Sequence, residues 1–143
     1  DAYGAHLAQN FGAGVQACYR GNRWYDTGET RAVVIHWIDF FKKYRDILES
    51  DIIHVRRPDG RDVDCILHVN PNTKPRALAM VFNPMDHQLT KKIILPLYFA
   101  GMMDKATVQF QNGRTHEYNL DRAYRVNIEM EIAANENTCL VIE

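Results

Sequence analysis

The chain is 143 residues long, 46% apolar and 24% charged, with 17 Lys+Arg against 18 Asp+Glu. That length suits one ordinary domain, or one small domain with an appendage, and is too short for a whole (β/α)8 barrel of roughly 200 residues or more. The net charge of −1 argues against a nucleic-acid binder, no apolar run approaches the roughly 18 residues of a membrane span, and the composition is neither disordered nor collagenous.

Charge is spread evenly, with six basic and six acidic groups in residues 1–50 and eleven and twelve in residues 51–143. The cluster Arg56, Arg57 and Arg61 is offset by Asp59 and Asp62 and reads as a solvated turn. The three cysteines, Cys18, Cys65 and Cys139, form no CxxC pair, which leaves a zinc or redox motif without support. Cys65 and Cys139 fall in strand-like runs and read as small core residues. A chain that begins Asp1-Ala2-Tyr3, with no signal pattern, reads as a processed product or an excised piece, secreted or periplasmic if a signal peptide was removed.

The predicted elements change character near residue 50. Residues 1–28 are rich in glycine and aromatic residues without a clean period, which predicts loop with short pieces of helix. Gly12 to Ala17 matches GxGxxA, but His6-Leu7-Ala8-Gln9-Asn10 before it is no strand, so the dinucleotide fingerprint lacks its context and no cofactor is expected. Residues 30–48 form the clearest helix: Val33, Val34, Trp37, Ile38, Phe41, Tyr44 and Leu48 make one apolar stripe. Asp26 and Glu29 are spaced as a capping box, with Thr30 as the alternative cap. His36 and Asp39 share a helix face and read as a solvent-facing pair, although that spacing would also serve a shared proton or metal.

After Ser50 the period becomes two. Val63, Cys65, Leu67 and Val69 alternate with Asp64, Ile66 and His68, and Leu78, Met80 and Phe82 alternate with Ala77, Ala79 and Val81. Ile93–Leu97, Tyr124–Ile132 and Leu140–Ile142 add further runs; with Ile52–Arg56, Ala106–Phe110 and Arg114–Leu120 they give about eight strands, each with one buried and one wet face. The pattern predicts a mainly β fold: an antiparallel β-sandwich preceded by a loop-rich segment and one long amphipathic helix. Pro58-Asp59-Gly60 suits a tight turn between the first two strands, and Pro96 marks an edge strand or a strand end. At Asn112-Gly113, a three-residue turn bulged at Gly113 pairs Phe110 with Arg114 and puts Ala106 opposite Tyr118 and Val108 opposite His116, which matches the faces better than a two-residue turn.

Several stretches are similar to the C-terminal end of α-galactosidase-like glycoside hydrolases. They are Gln16-Ala17-Cys18-Tyr19-Arg20-Gly21 with Trp24-Tyr25-Asp26, Phe41-Lys42-Lys43-Tyr44-Arg45-Asp46-Ile47-Leu48, Asp51 to Arg61, and Ala77-Leu78-Ala79-Met80-Val81-Phe82-Asn83-Pro84 followed by Leu95-Pro96-Leu97-Tyr98. In such enzymes a (β/α)8 catalytic barrel ends in a long helix and an antiparallel β-sandwich follows. The resemblance therefore implies that residues 1–50 are the tail of a barrel and residues 51–143 the accessory sandwich, with the barrel of the same parent chain as partner and a carbohydrate as ligand. Residues 1–50 hold nine of the fifteen aromatics, including Trp24 and Trp37. Together with Phe40 these need a surface to bury against, either a barrel or a second copy of the chain.

The chain offers little catalytic machinery. Glycosidases need two carboxyls about 5–5.5 Å apart for retention or about 6.5–9.5 Å apart for inversion, and in the family these project from barrel strands outside this chain. Asp26, Asp59, Asp62, Asp64 and Asp86 show no pair whose spacing demands a shared site. Asp59, Asp62 and Asp64 could contribute to a calcium site, but the EF-hand pattern is absent, so no metal is expected. Ser50, the one serine, lies in no nucleophile elbow. The best binding candidate is the loop Tyr19 to Asp26, where Arg20, Arg23, Trp24 and Asp26 combine an aromatic face with groups that read hydroxyls. By resemblance it lies near the substrate face of the barrel; alternatively Trp24 and Tyr25 are packing anchors, Asp26 a helix cap and the arginines ion-pair partners. A free-standing carbohydrate- or protein-binding sandwich would instead need an exposed aromatic platform, for which Tyr98, Phe99 and Tyr118 are available.

Overall fold

A computed structural model of the chain describes residues 2–15 and 27–143. Where the sequence predicts loop with short pieces of helix, residues Ala2–Gly12 form one continuous α-helix, α1. Leu7, Ala8 and Phe11 fall on one side of it and are buried, so packing overrides the weak local period. The helix ends in a Schellman motif. Gly14 N–H donates to the Phe11 carbonyl at 3.0 Å and Val15 N–H to that of Asn10 at 2.9 Å, with Gly14 at φ +72°. Gly12 and Gly14 thus close a helix rather than open one, which gives the GxGxxA match a structural role.

The second helix, α2 (Gly28–Leu48), forms where the apolar stripe requires. Its cap differs from the expected one. The Thr27 hydroxyl accepts from Thr30 N–H at 3.1 Å, meeting the same orphan donors that an Asp26 cap would have met; Asp26 lies outside the described residues. Tyr44 leaves helical geometry (φ −111°, ψ 19°), and beyond this kink both Ile47 and Leu48 are buried.

Eight antiparallel strands follow: β1 (Asp51–Arg56), β2 (Asp64–Val69), β3 (Ala77–Phe82), β4 (Leu89–Pro96), β5 (Lys105–Phe110), β6 (Thr115–Asn119), β7 (Arg125–Ile132) and β8 (Asn137–Ile142). Six pair in the order β1-β2-β3-β8-β5-β6, and β4 pairs with β7 in a second sheet. The core between the sheets takes Cys65, Leu67, Ala79, Val81, Val108, Leu140 and Ile142 from one side, and Ile93, Leu95, Val126 and Ile128 from the other. At roughly 25 cal/mol per Å² of apolar surface, this burial is the main stabilising term. Pro96 ends β4, as expected. The hairpin register agrees too: Ala106 faces Tyr118, Val108 faces His116, and Phe110 N–H donates to the Arg114 carbonyl at 2.8 Å.

The outer face of the large sheet differs from expectation. β3 was expected to have one wet face, yet Leu78 and Met80 are as buried as Ala77 and Ala79. They pack with Val141 of β8 against Leu7, Phe11, Val34, Trp37 and Phe41, so α1 and α2 form a third layer over the sheet. Trp37 is buried within the chain and Phe40 is half-buried, its ring 5.3 Å from Trp37 and 5.2 Å from Tyr44. Trp24 lies outside the described residues. Ile35 of α2 is exposed at 43% among the described residues.

Candidate functional site

The residues singled out for sugar binding, Arg20, Arg23, Trp24 and Asp26, all lie outside the described residues, as does Cys18. Of the remaining candidate carboxylates, Asp59, Asp62 and Asp64 lie around Arg56. The loop between β1 and β2 spans residues 57–63, wider than a tight turn. Arg56 holds it together by donating to both Asp59 oxygens at 3.3 and 3.0 Å and to the Val63 carbonyl at 2.9 Å. The Arg61 backbone N–H, with Arg56, keeps the Asp59 carboxyl below its ordinary range. Burial tends to raise that of Asp62, but the Val63 N–H and Lys91, 3.0 Å away, together bring it down. Asp86 is lowered by its contact with His87 at 3.0 Å. Among the described residues no group of three His, Cys, Asp or Glu side chains gathers to hold a metal. His36 and Asp39 are both exposed, in keeping with a solvent-facing pair.

Asp64 is different. Its Oδ1 is buried and has no hydrogen-bond partner among the described residues. Burial raises its carboxyl above the usual range despite the Arg56 charge nearby. It opens into a cleft of about 380 Å³ between α1 and the outer face of β1, β2 and β3, within the size range of small-ligand sites. Gln9 of α1, His54 of β1 and Asn137 of β8 line the same cleft, with Ile66 and Phe82 as apolar walls. The sequence shows that Asp64 points outward, because β2 alternates. It does not reveal the roof, because the α1 segment reads as loop with only short pieces of helix.

Under the end of α1 His68 is fully buried, its Nε2–H donating to the Gly12 carbonyl at 2.7 Å and its Nδ1 without a partner among the described residues. Burial lowers its pKa, and the Gly12 contact offsets part of that. Asn83, also buried, directs its amide nitrogen at the carbonyls of His87, Ile132 and Ala133 at 3.0, 3.0 and 2.9 Å, while its oxygen accepts from Met85 N–H. It ties the loop after β3 to the end of β7, a role that the Asn-Pro pair in the sequence does not announce. On the far side of the sandwich Tyr98 and Phe99 are exposed, but their rings stand at 83° and present no flat shelf. Tyr118 is half-buried beside Ala106.

No family model matches the chain, and no curated protein matches it in sequence. Among solved structures it is similar to a Bacillus halodurans C-125 protein provisionally assigned as an α-N-acetylgalactosaminidase, with a TM-score of 0.62 and 13% identity over 97% of this chain and 31% of that one. It is also similar to the galactosidase domain of an α-galactosidase–sucrose kinase, with a TM-score of 0.55 and 19% identity over 82% of this chain and 16% of that one. The chain therefore has the fold of a region of α-galactosidase-like glycoside hydrolases, and it spans less than a third of either neighbour.

Proposed function

We propose that the chain is the C-terminal, non-catalytic accessory region of an α-galactosidase-like glycoside hydrolase, which packs on the catalytic barrel and stabilises it. On this reading residues 1–50 are the end of the barrel and residues 51–143 the accessory sandwich. The supporting observation is that 97% of this chain superposes on only 31% of a longer neighbour, while the helical layer leaves Ile35 exposed. α1 and α2 share a core with the sheet and would form the joint between barrel and sandwich.

The free-standing binding module draws on exposed Tyr98 and Phe99, but their crossed rings suit sugar stacking poorly. Ile35→Asp tests the first reading. In the 143-residue chain Ile35 is exposed, so the substitution should stay within about 0.5 kcal/mol. In the parent protein, where the barrel covers it, a buried unpaired carboxylate should cost about 3 kcal/mol or more. Equal, small effects in both proteins would overturn the proposal.

A further inference from the structure

We propose that His68 is a pH-sensitive latch: below neutral pH it takes up a proton and releases α1 from the sheet, while the β-sandwich stays folded. The device lies within this chain and does not depend on a barrel packing on the helical layer.

The geometry fixes which proton is held. His68 of β2 is completely buried, and its Nε2 lies 2.7 Å from the Gly12 carbonyl at the end of α1. A carbonyl only accepts, so Nε2 carries the hydrogen and Nδ1 the lone pair. Nδ1 is buried and has no partner among the described residues. The ring lies where α1 closes on α2: a Cβ added to Gly14 would stand 2.0 Å from the Leu48 carbonyl oxygen and 3.4 Å from the imidazole. A second proton, on Nδ1, brings a positive charge and a donor without an acceptor into this buried place. Lifting α1 hands the imidazolium to water instead.

Among the described residues no charge offsets this. Ile52 of β1 and Leu78 of β3 stand opposite His68. Farther along the same face are His54 of β1, Asp64 of β2 and Cys139 of β8. On the helices, His6 and Asp46 are exposed, and Arg45 is paired with Glu49 at 2.9 Å. Burial lowers the His68 pKa, the Gly12 contact offsets part of that, and none of these side chains contributes.

Release is local because the two cores share no residue. Leu78, Met80 and Val141 pack under the helices, whereas Ala77, Ala79, Leu140 and Ile142 face the interior of the sandwich. From α1 only Leu7, Ala8 and Phe11 are buried, so the sandwich keeps its core when the helix leaves. At 11 residues α1 is too short to persist alone in water, so release exposes its amides.

The test is native-state hydrogen exchange of the 143-residue chain at pH 7.5 and pH 5.5, corrected for intrinsic exchange and read by ¹H–¹⁵N spectra. The released state holds one proton more, so protection at Leu7, Ala8 and Phe11 should fall by up to about tenfold over this range, while Leu67 and Leu140 keep theirs. His68→Gln offers Gly12 an amide N–H that does not titrate and should abolish the dependence. Asp64→Asn removes the titratable carboxyl beside α1 and should leave the dependence intact. If His68→Gln does not fold, the imidazole signals of His68 decide: imidazolium should appear in step with the loss of protection in α1. The proposal is overturned if α1 is equally protected at both pH values, or if α1 and the strands lose protection together. It is also overturned if His68→Gln keeps the dependence, if Asp64→Asn removes it, or if His68 is protonated while α1 stays protected.

Discussion

Replacing Gly14 by alanine separates the structural from the nucleotide-binding reading of the Gly12–Ala17 stretch. Gly14 sits at φ +72°, and a Cβ there would lie 2.0 Å from the Leu48 carbonyl oxygen and 3.1 Å from its carbon. Two costs follow. The left-handed conformation costs a non-glycine residue about 1–2 kcal/mol. The contact is with backbone at the end of α2, so it cannot relax by a rotamer change; forcing the two segments apart should add about 1–3 kcal/mol, as overpacking does. Gly113 is the internal control, with φ +83° and nothing within 4 Å of an added Cβ. Gly113→Ala should therefore lose about 1–2 kcal/mol from conformation alone, and Gly14→Ala about 2–5 kcal/mol. For a domain of this size the latter is a drop in melting temperature of roughly 4–20 °C. Urea unfolding followed by far-UV circular dichroism measures both. If Gly14→Ala proved no more destabilising than Gly113→Ala, the close approach of α1 to the end of α2 would be wrong.

Three further outcomes are expected. Because burial holds His68 neutral in the folded state, the unfolded chain takes up the proton first. Stability should be full above the ordinary histidine value of about 6.5 and fall as pH drops below it; His68→Gln should remove that part of the pH dependence, and an unchanged profile would contradict the assignment. Asn83→Ala strips the partner from several carbonyls at once and should cost about 2–4 kcal/mol by chemical denaturation; a loss below about 0.5 kcal/mol would show that the loop is held otherwise. Burial pushes the Cys65 thiol up to about 12, so iodoacetamide at pH 8 should alkylate half-buried Cys139 before Cys65, read by peptide mass spectrometry. Early labelling of Cys65 would mean that the sandwich opens locally.

What was legible in the sequence is what local periodicity controls. Val63, Cys65, Leu67 and Val69 line the core between the sheets as their alternation requires, and the hairpin register follows from the faces of Ala106 and Val108. The eight strands and α2 lie where period and breakers put them. What was not legible depends on contacts between distant segments. Leu78 and Met80 looked like half of an alternating strand, yet α1 and α2 bury that face as well. α1 itself has only Leu7, Ala8 and Phe11 buried, too few to stand out beside its glycines. The cleft at Asp64 follows from that same helix, so its companions Gln9, His54 and Asn137 are scattered over 129 residues of sequence. The candidate sugar-binding loop, Tyr19 to Asp26, falls outside the described residues, and its part in sugar binding stands as a proposal from resemblance.

The most direct test of the central claim is to read the native coding sequence upstream of the codon for Asp1. The account predicts an in-frame extension of about 200 or more residues with alternating strands and helices, enough for a (β/α)8 barrel that carries the catalytic carboxylates. A reading frame that opens immediately before Asp1, with or without a signal peptide, would contradict it and leave a free-standing sandwich whose binding must be sought on its own surface.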